Sequence, residues 1–300
     1  MLLRHIHYFL AVAEHRNFTR AASALYVSQP ALSQQIKQLE ENLGTQLFDR
    51  SGRSVVLTDA GDVYAGYARR ALLDLEEGKR AIHDVSDLSR GTLRIALTPT
   101  FTPYLIGPLV RRFHQRYANI RLQVEEMSQE RMEERLLDND FDLGIAFADV
   151  HSPDIESRFL LEERLALVIN RDHPLAKQLS VDAATLGTLS LVLLNAEFAT
   201  REQIDRYCRQ HEVQPKVMME ANSVSAVIEM VRNTPLASLL PAQVTQERED
   251  LLALALTPAE LKRTAVLLLR KGAYQSAAAH AFITLAEDFS AAQKSPLQRR

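Results

Sequence analysis

Between Thr19 and Gly44 two helical segments are joined by a break so short that the helices must cross. Thr19 is a good N-cap ahead of Arg20-Ala21-Ala22-Ser23-Ala24-Leu25, and the alanines at 21, 22 and 24 let another helix approach closely. Tyr26-Val27 make the break. Ser28 then caps a further helix with Pro30 in its first turn, where a missing N–H costs nothing. That helix places Leu32, Ile36, Leu39 and Leu43 on one face, and Gly44 follows as its stop. Ile6, Phe9, Leu10 and Ala13 recur at helical spacing and mark a first helix before the pair.

The opposite face of the Ser28-capped helix shows Gln29, Pro30, Ser33, Gln34 and Lys37. Gln can pair bidentately with adenine, Ser can bond either base edge, and Lys reaches phosphate. A recognition helix entering a major groove displays these types near its N-terminus. An ordinary solvated polar face is the alternative, and the preceding capped, alanine-rich helix argues against it. Gln46-Leu47-Phe48-Asp49 and Ser54-Val55-Val56-Leu57 read as two short strands around Arg50-Ser51-Gly52-Arg53, a Gly-tipped hairpin whose two arginines suit phosphates or a narrow minor groove. Net charge is −3, but residues 1–58 hold six basic and four acidic side chains, a balance of +2, against 29 and 34 in the remainder. That asymmetry agrees with the motif without deciding anything alone.

Thr58 caps a long helix running to about Leu88, on the order of 45 Å at 1.5 Å per residue. Ala68, Leu75 and Ile82, interleaved with Ala71, Gly78 and Val85, make an a/d seam for a second copy of the helix; packing on its own domain is the other possibility. Ser89-Arg90-Gly91 reads as a hinge.

After Gly91 the periodicity changes. Leu93-Ile95-Leu97 and Ile120-Leu122-Val124 alternate, while 143–146, 165–169, 191–194 and 265–269 are continuously apolar. Helical stretches at 104–117, 129–138, 201–211 and 223–232 lie between them. This alternation predicts an α/β domain with a mainly parallel sheet and helices on both faces. Ligands in such domains bind beyond the carboxyl ends of strands. The strand exits carry Thr98, Thr100, Phe101, Thr102, Ser128, Phe147, Phe198, Thr200 and Ser223; each hydroxyl taken singly reads more readily as a plain N-cap, and it is their number in one domain that points to a pocket of modest polarity.

The motifs Phe18-Thr19-Arg20-Ala21-Ala22, Val27-Ser28-Gln29-Pro30-Ala31-Leu32-Ser33, Leu47-Phe48-Asp49-Arg50 and Leu57-Thr58-Asp59-Ala60-Gly61 resemble, in register, the LysR-type transcriptional regulators. The resemblance implies a winged helix-turn-helix over 1–58, a linker and dimerisation helix with hinge over 59–90, and an effector-binding domain over 91–290. That domain is similar to type 2 periplasmic binding proteins, with lobe I at 92–161 and 267–290 and lobe II at 162–266. The polar tail 291–300 stands apart. The resemblance also implies DNA contact by Thr19, Arg20, Ser28, Gln29, Pro30, Ser33, Gln34, Lys37, Arg50 and Arg53, and a small-molecule effector in the cleft. Implied partners are a double-stranded operator, a second copy through 58–88, a tetramer of such dimers, and RNA polymerase. At finer grain, Gly144-Ile145-Ala146-Phe147-Ala148, His151-Ser152-Pro153 and Glu197–Asp205 are similar to the branch of the family that activates cyanate degradation, which implies cyanate as effector. An aromatic or organic acid is the alternative effector, and an enzyme with an appended DNA-binding head is the alternative class.

Catalysis has little support. The nine histidines are scattered without metal spacing, and no nucleophile elbow, phosphate loop or Cys-x-x-Cys appears. The single cysteine, Cys208, reads as a small core residue and fits a reducing compartment. No apolar run approaches membrane-spanning length and the N-terminus does not open a secretory signal, so a cytoplasmic location is expected, with no metal and no membrane partner.

Overall fold

A computed structural model describes residues 2–51, 55–83 and 91–294, and the chain divides into two compact units, Met1–His83 and Asp84–Arg300. The wing tip Gly52-Arg53-Ser54, the seam residue Val85, the hinge residues Ser89 and Arg90, and the end of the tail from 295 lie outside the described residues.

In the first unit α1 (Leu3–His15), α2 (Phe18–Ala24) and α3 (Gln29–Leu43) precede a hairpin of β1 (Phe48–Asp49) and β2 (Val56–Leu57), and α4 (Asp59–His83) follows. Ile6, Phe9, Val12, Ala21, Ala22, Leu32, Ile36 and Leu39 bury together with Leu47 and Phe48. Three expectations change here. The cap of α2 is Asn17 rather than Thr19: Asn17 Oδ1 accepts from the Arg20 N–H at 3.0 Å, since the N-cap oxygen reaches the third helical N–H and Thr19 already lies inside the helix. Leu43 is 40% exposed, because α3 ends before its last turn meets the core; Gly44 closes it with φ +69°. Ala68 packs into this unit's own core, so it is not free for a seam, while Leu75 and Ile82 are exposed beyond the three-helix core. Thr58 caps α4, accepting from the Gly61 N–H and donating to the Gln46 carbonyl.

The second unit starts with β3 (Gly91–Leu97), a 3-10 turn (Pro99–Phe101) and a π-helical turn (Thr102–Ile106) that runs into α5 (Gly107–Arg116). Next come β4 (Ile120–Glu126), α6 (Gln129–Leu137), β5 (Leu143–Phe147) and the long strand β6 (Ile155–Asn170). The second lobe holds β7 (Ser180–Asp182), α7 (Ala183–Thr188), β8 (Ser190–Leu194), α8 (Ala199–Gln210), β9 (Lys216–Ala221), α9 (Val224–Asn233), β10 (Ser238–Pro241) and β11 (Leu251–Thr257). The chain returns along β12 (Leu261–Arg270) and ends in α10 (Ala277–Lys294).

The main sheet runs β4-β3-β5-β12-β6-β11-β7, with β10 also bonded to β6. It is mixed rather than mainly parallel. β3 pairs in parallel with β4 and β5, and β8 with β9, as expected; β12 runs antiparallel to both β5 and β6. The reason is topological. The chain leaves the first lobe along β6 and comes back along β12, and an outgoing and a returning strand that pair must be antiparallel. The expected lobe limits at 161/162 and 266/267 fall inside these two strands. In the first lobe the core lies between β3, β5 and β12 and the helices α5 and α10, through Leu93, Ile95, Leu97, Phe113, Ile145, Leu267 and Phe282. The second lobe is built around Leu167, Leu191, Leu193, Ile204 and Leu239 on one side and Val192, Val227 and Leu240 on the other. Apolar runs such as β5 are buried on both faces, which is why they lack strand alternation.

Candidate functional site

On the first unit, Ser28 Oγ accepts from the Ala31 N–H and starts α3 one residue before Gln29. With Leu32, Ile36 and Leu39 turned inward, Gln29, Pro30, Gln34 and Lys37 are exposed and Ser33 is half-buried. Thr19, Arg20 and Ser28 are exposed as well. Lys37 lies 3.8 Å from Glu41, an exposed pair one turn apart that leaves the ammonium available. Tyr26, in the break, holds φ +56° and is 96% exposed. The outward face therefore presents two amides, a hydroxyl and a cation from the first turns of one helix.

Arg50 is held from inside. Its Nη2 donates to Glu40 Oε2 at 2.8 Å and its guanidinium lies 5.1 Å from the Phe18 ring centroid. The other oxygen of Glu40 accepts from the Leu47 and Phe48 N–H groups at 2.9 and 3.2 Å. Arg50 thus ties the hairpin to α2 and α3, a role that its place in the sequence did not signal. Arg53 lies outside the described residues.

On the second unit, the ends of β3, β4, β5, β8 and β9 open on one cleft of about 620 Å³. Its walls include Thr98, Thr100, Ser128, Phe147, Phe198 and Thr200 from the expected set. Phe101, Thr102 and Ser223 do not line it: Phe101 is fully buried against Phe147, Thr102 donates to Glu126 on the surface, and Ser223 caps α9. Gln129, Glu130, Glu197, Glu202 and Asn222 do line it. Gln129 locks the cleft wall, because its carbonyl oxygen accepts from the Phe147 N–H at 3.0 Å while its amide donates to the Asp149 carbonyl at 2.6 Å.

The structure separates hydroxyls that cap helices from those that do not. Ser128 accepts from the Arg131 N–H and is a cap. Thr98 begins the 3-10 turn without a side-chain cap bond, and the Thr98 and Thr100 hydroxyls are buried with no hydrogen-bond partner in the protein. Thr200 Oγ1 accepts from Arg263 Nη1 at 2.7 Å. Arg201 fixes the start of α8, donating to the Leu194 carbonyl, to Glu220 and to Asp205.

Behind this wall lies a buried ion pair absent from the sequence-based set. Arg263 on β12 and Glu163 on β6 are cross-strand partners joined by a hydrogen bond, with side chains 2% and 0% exposed. Tyr104 donates to Glu163, and the Arg263 guanidinium stacks 4.0 Å from the centroid of Phe147. Burial, reinforced by the Glu163 carboxylate, pushes the Tyr104 hydroxyl well above the usual phenol range, so it stays a donor. Glu163 and Arg263 each stand in a charged stretch bordering an apolar run, Glu162-Glu163-Arg164 and Lys262-Arg263, so the sequence does not mark out which of these charges is buried; their pairing depends on register.

Among the described residues no cluster of His, Cys, Asp and Glu could hold a metal, and no helix is long and apolar enough to cross a membrane. Cys208 is buried in α8, and burial pushes its thiol above the ordinary range, which keeps it from reacting as a thiolate.

The family model described as "LysR substrate binding domain" matches residues 86–291, and that described as "Bacterial regulatory helix-turn-helix protein, lysR family" matches residues 3–62. The chain is 31% identical over 283 residues, 93% of each protein, to the RuBisCO operon transcriptional regulator of Allochromatium vinosum. It is 30% identical over 233 residues, 77% of each, to the HTH-type transcriptional regulator AlsR of Bacillus subtilis. Among solved structures, a cysteine-substituted full-length OxyR from Pseudomonas aeruginosa superposes with a TM-score of 0.66 at 24% identity over 96% of this chain and 94% of that one. Full-length CbnR complexed with its target DNA gives 0.59 at 25% identity over 97% and 100%. The chain therefore belongs to the LysR family of bacterial regulatory proteins, transcriptional regulators that join a DNA-binding helix-turn-helix to a two-lobed ligand-binding domain.

Proposed function

We propose that this regulator is switched by a small anionic effector in the cleft of its second unit, with cyanate the first candidate, and that it controls a cyanate-degradation operon and its own gene. The observation that carries the reading is the pair of buried, unpartnered Thr98 and Thr100 hydroxyls at the carboxyl end of β3. Hydroxyls left without protein partners at a strand exit suit a compact polar ligand.

The DNA-binding half of the reading assigns base and backbone contact to Gln29, Pro30, Ser33, Gln34 and Lys37, with Gln29 and Ser33 the base readers to test first, and adds Thr19, Arg20 and Ser28 beside them. The wing adds Arg50 and Arg53. Two α3 helices on a dyad would read half-sites about 34 Å apart. Exposed Val63, Tyr67, Leu75 and Ile82 on α4 support dimerisation through that helix, with a tetramer and contact to RNA polymerase as further steps. Ligand moves the equilibrium only by binding the two arrangements unequally.

Thermal unfolding with millimolar cyanate tests the effector. At 100 times its dissociation constant a ligand adds about 2.7 kcal/mol. An unmoved melting temperature with cyanate, beside a clear rise with an organic acid, reassigns the effector. That second reading is favoured by the cleft volume of about 620 Å³, which far exceeds a three-atom anion and falls within the range of pockets for larger metabolites. The relatives named for RuBisCO-operon control also make a target other than a cyanate operon a live alternative.

A further inference from the structure

A second cavity, of about 180 Å³, shares no residue with the cleft and has a wall in each lobe. The first lobe gives Pro103 and Tyr104 from the π-helical turn, Arg111 from α5 and Phe289 from α10. The second gives Glu247 and Arg248, which follow β10 and a 3-10 turn (Ala242–Thr245). Arg248 is held by one nitrogen: its Nη1 donates to the Val244 carbonyl at 2.7 Å and, across the lobe junction, to the Pro103 carbonyl at 3.3 Å. Its Nε and Nη2 form the edge that grips a carboxylate as a fork, and among the described residues they have no hydrogen-bond partner and are not buried. The Arg111 and Glu247 side chains are exposed and likewise unpaired among the described residues, with each other included. Arg112, by contrast, is taken up over the Phe289 ring, 4.7 Å from its centroid.

We infer that this cavity is a second binding site, for a small zwitterion of the α-amino-acid class. Two guanidinium groups offer donors to a carboxylate, and the two carbonyl bonds already orient that of Arg248, so little side-chain freedom is left to lose on binding. Glu247 brings the opposite charge to the same cavity and takes an ammonium. A molecule with both groups joins cations and an anion that do not reach each other directly. A plain anion instead faces Glu247, and a plain cation faces two guanidinium groups. The volume lies below the range of pockets for drug-sized ligands, which limits the occupant to a small molecule. Because each lobe supplies part of the wall, the occupant binds one arrangement of the lobes more tightly than another and shifts the balance between them.

The test is thermal unfolding of the full-length protein in millimolar L-alanine, propanoate or ethylammonium at constant ionic strength, the last two being alanine without its ammonium or without its carboxylate. Wild type is expected to bind alanine about tenfold more tightly than either fragment, the worth of one lost ionic contact. E247Q should bring alanine down to the level of propanoate while leaving propanoate itself no weaker, a change of preference that a merely structural role would not produce. R248Q should lose alanine and propanoate together. R248Q also removes the bonds to the Val244 and Pro103 carbonyls and can unfold the domain, so R111A/E247Q, which alters two exposed and unpaired side chains, decides the matter if it does. That double variant is expected to melt like wild type without ligand and to bind alanine at least about tenfold more weakly. Full alanine binding in R111A/E247Q puts the amino acid elsewhere, the cleft included, and overturns the site. Equal binding of alanine and propanoate by wild type, or no response to alanine, overturns the ligand class.

Discussion

Glu40 and Arg50 meet at 2.8 Å across the junction of α3 and the hairpin, and the second oxygen of Glu40 takes the N–H groups of Leu47 and Phe48. One carboxylate thus anchors the hairpin to the recognition helix. Glu40→Ala leaves two buried backbone donors unsatisfied, at about 1–3 kcal/mol each, and frees Arg50 to solvent. Chemical denaturation should show a loss of about 2–4 kcal/mol. Unchanged stability would mean that water satisfies those groups.

Gln29 and Lys37 should fail in different ways. Gln29→Ala, like Ser33→Ala, is expected to reduce discrimination between operator and random DNA by about 1–3 kcal/mol per lost base contact. Lys37→Ala should weaken binding to all sequences and lower the slope of log affinity against log salt by about one. Fluorescence anisotropy across a salt series separates the two; full specificity in the Gln29 variant removes that base contact.

Two glycines of α4 carry opposite expectations. A Cβ on Gly61 would stand 2.1 Å from the Leu47 carbonyl oxygen, a backbone atom that cannot turn aside. Gly61→Ala should destabilise the first unit by about 1–3 kcal/mol or more. A Cβ on Gly78 meets nothing within 4 Å in the chain itself, so Gly78→Ala in an exposed helix should stabilise by about 1 kcal/mol. If melting curves show Gly78→Ala destabilising instead, a second copy of the helix approaches there.

His173 makes acid stability measurable. Burial lowers its pKa below the ordinary 6.5, and its Nδ1 accepts from the Leu175 N–H, which requires the neutral ring. The unfolded chain binds a proton that the folded one resists, so this contribution is complete above pH 6.5 and declines as pH falls below it. His173→Asn keeps an acceptor without a titration. Its melting temperature should fall less between pH 7.5 and 5.5 than that of wild type; equal slopes would show that His173 does not report burial.

Much of the cleft was readable because strand exits and helix starts are local features. A run such as Leu191–Leu194 must be buried, and the residues after it must turn, so Phe198 and Thr200 could be placed beside Thr98, Thr100, Ser128 and Phe147. Periodicity likewise told which face of α3 looks outward, and the apolar face at Leu32, Ile36 and Leu39 left Gln29 and Lys37 no other place. Local competition still mattered: Asn17 displaced Thr19 as the cap because the helix starts at Phe18, two residues earlier than a Thr19 cap requires, and Asn17 reaches the Arg20 N–H.

Spacing and chemistry along the chain determined the two helical patterns, the switch to strands after Gly91 and the polar residues at the strand ends. Only the tertiary structure decided which hydroxyls are caps and which are unpartnered, that the returning strand makes the sheet mixed, and that Arg263 meets Glu163 a hundred positions earlier. The physical reason is range: helix periodicity and capping act within a turn or two, whereas register between distant strands is set by packing, which no single stretch of sequence contains.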